Sequence, residues 1–168
     1  MGSPQTTYSL NNIAGLPGQL YDNDESNFVD SKPCGAVTLS PGQCVDLVNG
    51  LLVPCQGTGN PAATNFWGVV LYKDSMEPGG YPPGVEVPVV RRGRIWALLD
   101  SGVTFGPQGA AVNYTHSSDS SHGFGTFTNA AVSATVGQEV SAVRAIWFKD
   151  GGLVGASPSI ACIELSLP

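Results

Sequence analysis

Charge is what this chain has least of. Asp, Glu, Lys and Arg make up 12% of its 168 residues, only seven are Lys or Arg, and there are two histidines. An ordinary soluble domain carries about twice that charged share. Helical patterning is missing too. No stretch repeats apolar residues at three- and four-residue spacing for long, so little helix is expected. No apolar run approaches the ~20 residues a membrane-spanning helix needs. The first residues lack the basic and hydrophobic regions of an export signal, so an unexported chain with no membrane partner is expected. Met1-Gly2-Ser3-Pro4-Gln5-Thr6 fits a myristoylation pattern formally, but so short a match carries little weight.

The shortage of basic residues excludes a second class of function. With a net charge of −6 and a pI near 4.6, the chain repels phosphate backbones, so nucleic acid is not an expected partner. Arg91, Arg92 and Arg94 form its one concentrated basic spot. Catalytic signatures are sparse as well. There is no G-x-S-x-G, no P-loop and no dinucleotide fingerprint, and the glycines mark turns and do not open helices. His116, Asp119 and His122 share a three-residue spacing but sit in a Ser-rich tract without apolar content, which reads as an exposed loop before it reads as a metal site. Asp22-Asn23-Asp24 starts like a calcium loop, yet Asn27 stands where that loop needs Gly and Pro33 where it needs Glu. The cysteines Cys34, Cys44, Cys55 and Cys162 include no C-x-x-C. Free buried thiols are expected, with a Cys34–Cys44 or Cys44–Cys55 bridge as the alternative. No cofactor and no metal is expected.

What is present is turn chemistry and short apolar runs. Gly (22) and Pro (13) together exceed a fifth of the chain, as many short strands joined by turns require. The densest β signal runs from Val85 to Asp100, with apolar runs on either side of Arg91-Arg92-Gly93. A hairpin turning at Gly93 is the simplest reading, and a continuous bulged strand is its rival. Beyond Gly93, Ile95, Ala97 and Leu99 fall on one face, and Arg94, Trp96 and Leu98 on the other. Both faces are largely apolar, so both must be covered. The arginines cannot be buried unpaired, so they stand in water or meet an acidic surface.

Strands are also expected at Ala36–Leu39, at Cys44–Val48 and Leu51–Pro54 around the Asn49-Gly50 turn, at Phe66–Tyr72, at Ala110–Tyr114, at Val143–Phe148 and at Ile160–Leu167. A turn is expected at Asp150-Gly151-Gly152, and the last strand should set Ala161, Ile163, Leu165 and Leu167 on one side. The fold class expected is all-β: a single-domain β-barrel or jelly-roll-like sandwich of short antiparallel strands, residues 34–168, with an extended N-terminal arm, residues 1–33. The arm shows no lasting periodicity, yet Tyr8, Leu10, Ile13, Leu16, Leu20, Tyr21 and Phe28 are too many apolar side chains for a solvated tail, so it should lie across the body or a neighbour. Trp67, Trp96 and Trp147 sit in strand patterns and read as core or interface. A sugar-stacking platform is the alternative.

Taken in order, the irregular arm, Cys34-Gly35-Ala36-Val37, Leu52-Val53-Pro54, Phe66-Trp67-Gly68-Val69, Val87-Pro88-Val89-Val90-Arg91-Arg92-Gly93-Arg94-Ile95-Trp96 and the ending Ala161-Cys162-Ile163-Glu164-Leu165-Ser166-Leu167-Pro168 make a recognisable succession. It resembles the structural cement, or head decoration, proteins of tailed bacteriophages, from about Gly15 to the end. The Ser-rich loop at 115–122 and the four cysteines depart from that pattern. The resemblance implies a non-enzymatic virion protein on the outer capsid surface, made in the host cytoplasm. It would be a dimer or trimer clamping neighbouring subunits of the phage major capsid protein. On that reading Leu16, Leu20, Tyr21 and Phe28, with Arg91, Arg92 and Arg94, make the capsid or intersubunit contacts. The alternative function is a carbohydrate- or receptor-binding β module using the tryptophans, and a metal-dependent hydrolase at His116, Asp119 and His122 comes third.

Overall fold

The structure is a computed structural model that describes residues 15–22, 27–55, 66–75, 79–100, 106–115, 125–128, 139–153 and 160–167. Among these residues there is no helix, and nine strands form. They are β1 (Phe28–Pro33), β2 (Cys44–Val48), β3 (Leu51–Pro54), β4 (Phe66–Val70), β5 (Glu86–Leu98), β6 (Ala111–Thr115), β7 (Phe127–Thr128), β8 (Glu139–Leu153) and β9 (Ile160–Ser166). All ladders are antiparallel, in the order β3-β2-β4-β5-β9-β8-β6-β7, with β1 also on β5. The sheet curls back on itself. Phe127 of β7 bridges to Leu99 just past β5, and the Asp100 N–H donates to the Phe127 carbonyl. The all-β fold class is as expected, with two strands, β5 and β8, longer than the short ones anticipated.

The long strand β5 organises the whole, and it is not a hairpin. It runs unbroken through Arg91-Arg92-Gly93, so the rival reading of a bulged continuous strand is the correct one. Two strands pair with β5 on one side in succession. Val90 pairs with both Val29 of β1 and Val69 of β4, while Arg92 pairs with both Phe28 of β1 and Ser166 of β9. Hence β4 and β9 follow one another along the same edge of β5. The strand passes from one half of the curled sheet into the other.

The corner is a β-bulge. The register against β1 shifts between Phe28 and Val29, leaving Arg91 as the extra residue, and Gly93 takes a φ of 122° that few side chains tolerate. The facing of the strand flips as a result. Val90 and Ile95 would point to opposite faces of a regular strand, yet both lie in the main core. That core fills the space between the two halves of the sheet, around Phe66, Val69, Ile95, Tyr114, Phe127, Trp147 and Ile163. The outer face of the first half is sealed by Cys34, Leu39 and Tyr81 packed on Val45, Leu52, Val70, Val87 and Val89. The outer face of the second half carries Trp96, Ile160 and Cys162.

Several local expectations hold. Asn49 and Gly50 both have positive φ in the two-residue turn joining β2 to β3, as a type I′ hairpin demands. Ala161, Ile163, Leu165 and Leu167 all point into the main core. Two others fail. Ala36–Leu39 is not a ladder strand, because only Leu39 pairs, through a single bridge to Tyr81 that closes a loop over the outer face. Asp150-Gly151-Gly152 does not turn the chain. β8 continues to Leu153, taking up the slack as a register shift between Trp147 and Gly152.

Candidate functional site

Residues expected in the arm lie along the edge of β5. The Gly18 N–H donates to the Trp96 carbonyl, the Trp96 N–H to the Gln19 carbonyl and the Tyr21 N–H to the Arg94 carbonyl, with Leu20 opposite Ile95. Further along, residues 28–33 continue on that edge as β1. Residues 15–22 thus act as an additional edge strand, and alternation assigns their side chains. Leu20 packs against the main core, while Tyr21 turns outward onto the rings of Trp96 (5.8 Å) and Phe148 (5.2 Å). This segment covers the second apolar face of β5.

The three arginines separate at the bulge. Arg94 stays within the chain, donating to Asp22 at 2.9 Å and to Glu164 at 3.2 Å, with its guanidinium 4.1 Å over the Phe148 ring. Its hydrogen bonds to Asp22, then to Glu164, favour its protonated form further. It fastens the segment to β9. Arg91 takes the outer face and stacks 3.8 Å over Trp67 on β4. Arg92 is exposed and, with Asp22, Asn27 and Gly93, lines a polar cleft of about 170 Å³. Gly93 has to be glycine here, because a Cβ would overlap the Asn27 side chain.

Four of the nine large exposed apolar side chains among the described residues lie on the same edge, the other five being Val37, Val48, Leu51, Val85 and Ile146. Leu16 is 53% exposed, Phe28 43% and Val29 39%, with Tyr21 at 38%. Leu16 also rims an apolar groove of about 550 Å³ with Pro17, Tyr72 and Leu98. The strand β1 is guarded against open-ended pairing. Asp30 accepts the Ser31 N–H, and Pro33 has none to offer.

The remaining candidates scatter. Trp67, Trp96 and Trp147 belong to three different clusters, and Trp147 is fully buried, so they build no common platform. His116, Asp119 and His122 lie outside the described residues, as do Asn23 and Asp24, while Asp22 is engaged by Arg94. Among the described residues no group of three or more His, Cys, Asp or Glu side chains converges. All four cysteines are free and buried. The sequence reading missed Asp46, which lies in the core with Cys44, Cys55 and Tyr114 around it. The Cys55 thiol donates to its Oδ1 at 3.3 Å, and burial pushes its carboxyl up to about 6. An acid between Val45 and Leu47 in a strand pattern was the signal available.

Compared with known proteins, residues 4–166 match the model of the phage cement family, described as structural cement protein (E217 gp24/Pam3 gp6). The chain belongs to the phage cement family. A chain from a structure titled "The capsid of Myoviridae Phage XM1" has the same fold, with a TM-score of 0.70 at 14% identity, covering 94% of each chain. No curated protein matches. A phage cement protein is a structural component of the virion and associates with the capsid. In this cement protein Tyr21, Phe28 and Arg92 lie along this edge, while Arg94 is held within the chain, Leu20 packs on the core and Arg91 turns to Trp67.

Proposed function

We propose that this cement protein sits on the outer capsid surface and clamps neighbouring major capsid subunits, as a homo-oligomer and without catalysis. The observation that carries the reading is the edge formed by residues 15–22 and β1. It holds Leu16, Tyr21, Phe28 and Val29 in the open on a chain short of charge elsewhere. Large apolar side chains left exposed along one edge support an interaction site there. In this reading Leu16, Tyr21 and Phe28 contact the capsid or a neighbouring copy, with Arg91 and Arg92 beside them. Leu20 and Arg94 hold the edge in place. Burial of that edge against an assembled shell, and not against free capsid subunits, stabilises the shell by linkage.

The test is binding of the purified chain to expanded capsids that lack it. Leu16→Asp and Phe28→Asp change exposed side chains and should leave folding intact while lowering capsid occupancy about tenfold or more. Unchanged decoration by both variants would remove this edge from the interface.

A further inference from the structure

We infer that Arg91 and Trp67 together form a receptor for a carboxylate, an Asp or Glu side chain presented by the capsid protein. This rests on the cement reading above and specifies the chemistry of one contact. The bulge turns Arg91 and Arg92 to the same outer face of β5, and the Arg91 guanidinium lies over the Trp67 ring, 3.8 Å from its centre. Arg91 Nε and Trp67 Nε1 are both buried donors without an acceptor among the described residues. Buried donors are normally paired, so two such groups in one stack call for an acceptor from outside.

Among the described residues, the acids near the corner are occupied. Asp22 and Glu164 take Arg94, and Asp30 takes the Ser31 N–H and lies 3.7 Å from Lys32. No ion pair among the described residues reaches Arg91. A planar guanidinium already oriented by an aromatic ring loses little freedom on receiving a carboxylate, and it accepts one in a two-pronged geometry that Lys cannot reproduce. Phe28, directly across from Arg92 and 43% exposed, supplies an apolar rim that would shield the pair from water. A nucleic-acid phosphate is disfavoured by the net charge of −6.

Wild type, Arg91→Gln, Arg91→Lys and Trp67→Phe would be titrated onto expanded capsids that lack the protein, at several salt concentrations, with self-association followed by sedimentation. Arg91→Gln should weaken capsid binding about tenfold at low salt and flatten its salt dependence. Arg91→Lys should recover only part of that loss. Trp67→Phe keeps the ring and deletes the N–H, so roughly a threefold loss is expected with the melting temperature little changed. Wild-type binding to capsids with Arg91→Gln and Trp67→Phe unchanged overturns the receptor and leaves the cement reading standing. If wild type itself fails to bind, the cement reading fails first. If the variants lose self-association and keep capsid affinity, the acid belongs to a second copy and the inference is wrong.

Discussion

The buried acid Asp46 should make this protein lose stability as the pH rises through the weakly acidic range. Asp46 is 5% exposed, and desolvation is the main cause of its raised pKa. The hydrogen bond from the Cys55 thiol offsets part of that effect. Its carboxyl titrates at about 6 in the fold, against 3.8 for an ordinary Asp. Between those values the native state holds a proton that the unfolded chain has released, so stability falls as pH rises from about 4 to about 6 and levels off above. A gap of roughly two pKa units corresponds to about 3 kcal/mol. Burial holds the Cys44, Cys55 and Tyr114 neighbours above their ordinary values, so they stay neutral throughout this window. The perturbation is Asp46→Asn, which keeps shape and the acceptor for the Cys55 thiol but cannot titrate. Denaturant melts of both proteins under reducing conditions, at pH 4 to 8, give the difference in stability at each pH. The variant should gain about 2 kcal/mol on wild type between pH 4 and 7, whatever the two values are at pH 4. Parallel stability curves would refute the reasoning, and so would a gap that opens the other way.

Gly93→Ala forces a side chain into a left-handed φ of 122° and against Asn27, and should cost about 2–4 kcal/mol, read as a drop in melting temperature of roughly 5–15 °C. Tyr21→Ala should uncover Trp96, now 9% exposed, shifting tryptophan emission to the red at a cost of about 1 kcal/mol. The four cysteines are buried, with Cys34, Cys44 and Cys55 held above the ordinary thiol range by desolvation, so alkylating reagents should label them only at the rate of unfolding. Fast stoichiometric labelling of the native protein would contradict that burial.

Strand pairing was legible wherever one residue's side decided the matter. In β9 simple alternation puts Ala161, Ile163, Leu165 and Leu167 in the core, and an Asn-Gly pair between apolar runs leaves few alternatives to a tight turn. At Arg91-Arg92-Gly93 the same cues misled, because a turn and a bulge draw on the same residues. The distinguishing signal was in the phase. Val87 and Val89 share one parity with Ile95, Ala97 and Leu99, yet the first pair faces the outer cluster and the second group the inner one. An adjacent apolar pair, Val89-Val90, followed by a phase-shifted run after a glycine is what a strand crossing between two packed halves requires. A type I′ hairpin would have needed left-handed backbone at two central residues, and here only Gly93 has it.

The candidate edge was less legible, for a physical reason. Residues 15–22 are held mainly by backbone hydrogen bonds to β5, which any sequence can make, so their own composition announces no strand. The clue was on β5 itself: Trp96 and Leu98 made a second apolar face that had to be covered, without saying by what. Once residues 15–22 fill that place, the arginine cluster splits by necessity. Alternation points Arg94 at Glu164 across the ladder and at Asp22 on the covering segment, while the extra residue of the bulge points Arg91 away toward Trp67. In a Trp67→Phe background, which removes the indole that Arg91 stacks on, replacing Arg94 should loosen residues 15–22 and expose Trp96, whereas replacing Arg91 should leave the remaining tryptophan emission unchanged. Tryptophan emission in that background, with capsid affinity measured on both single variants, separates the cation that builds the edge from the one that would use it.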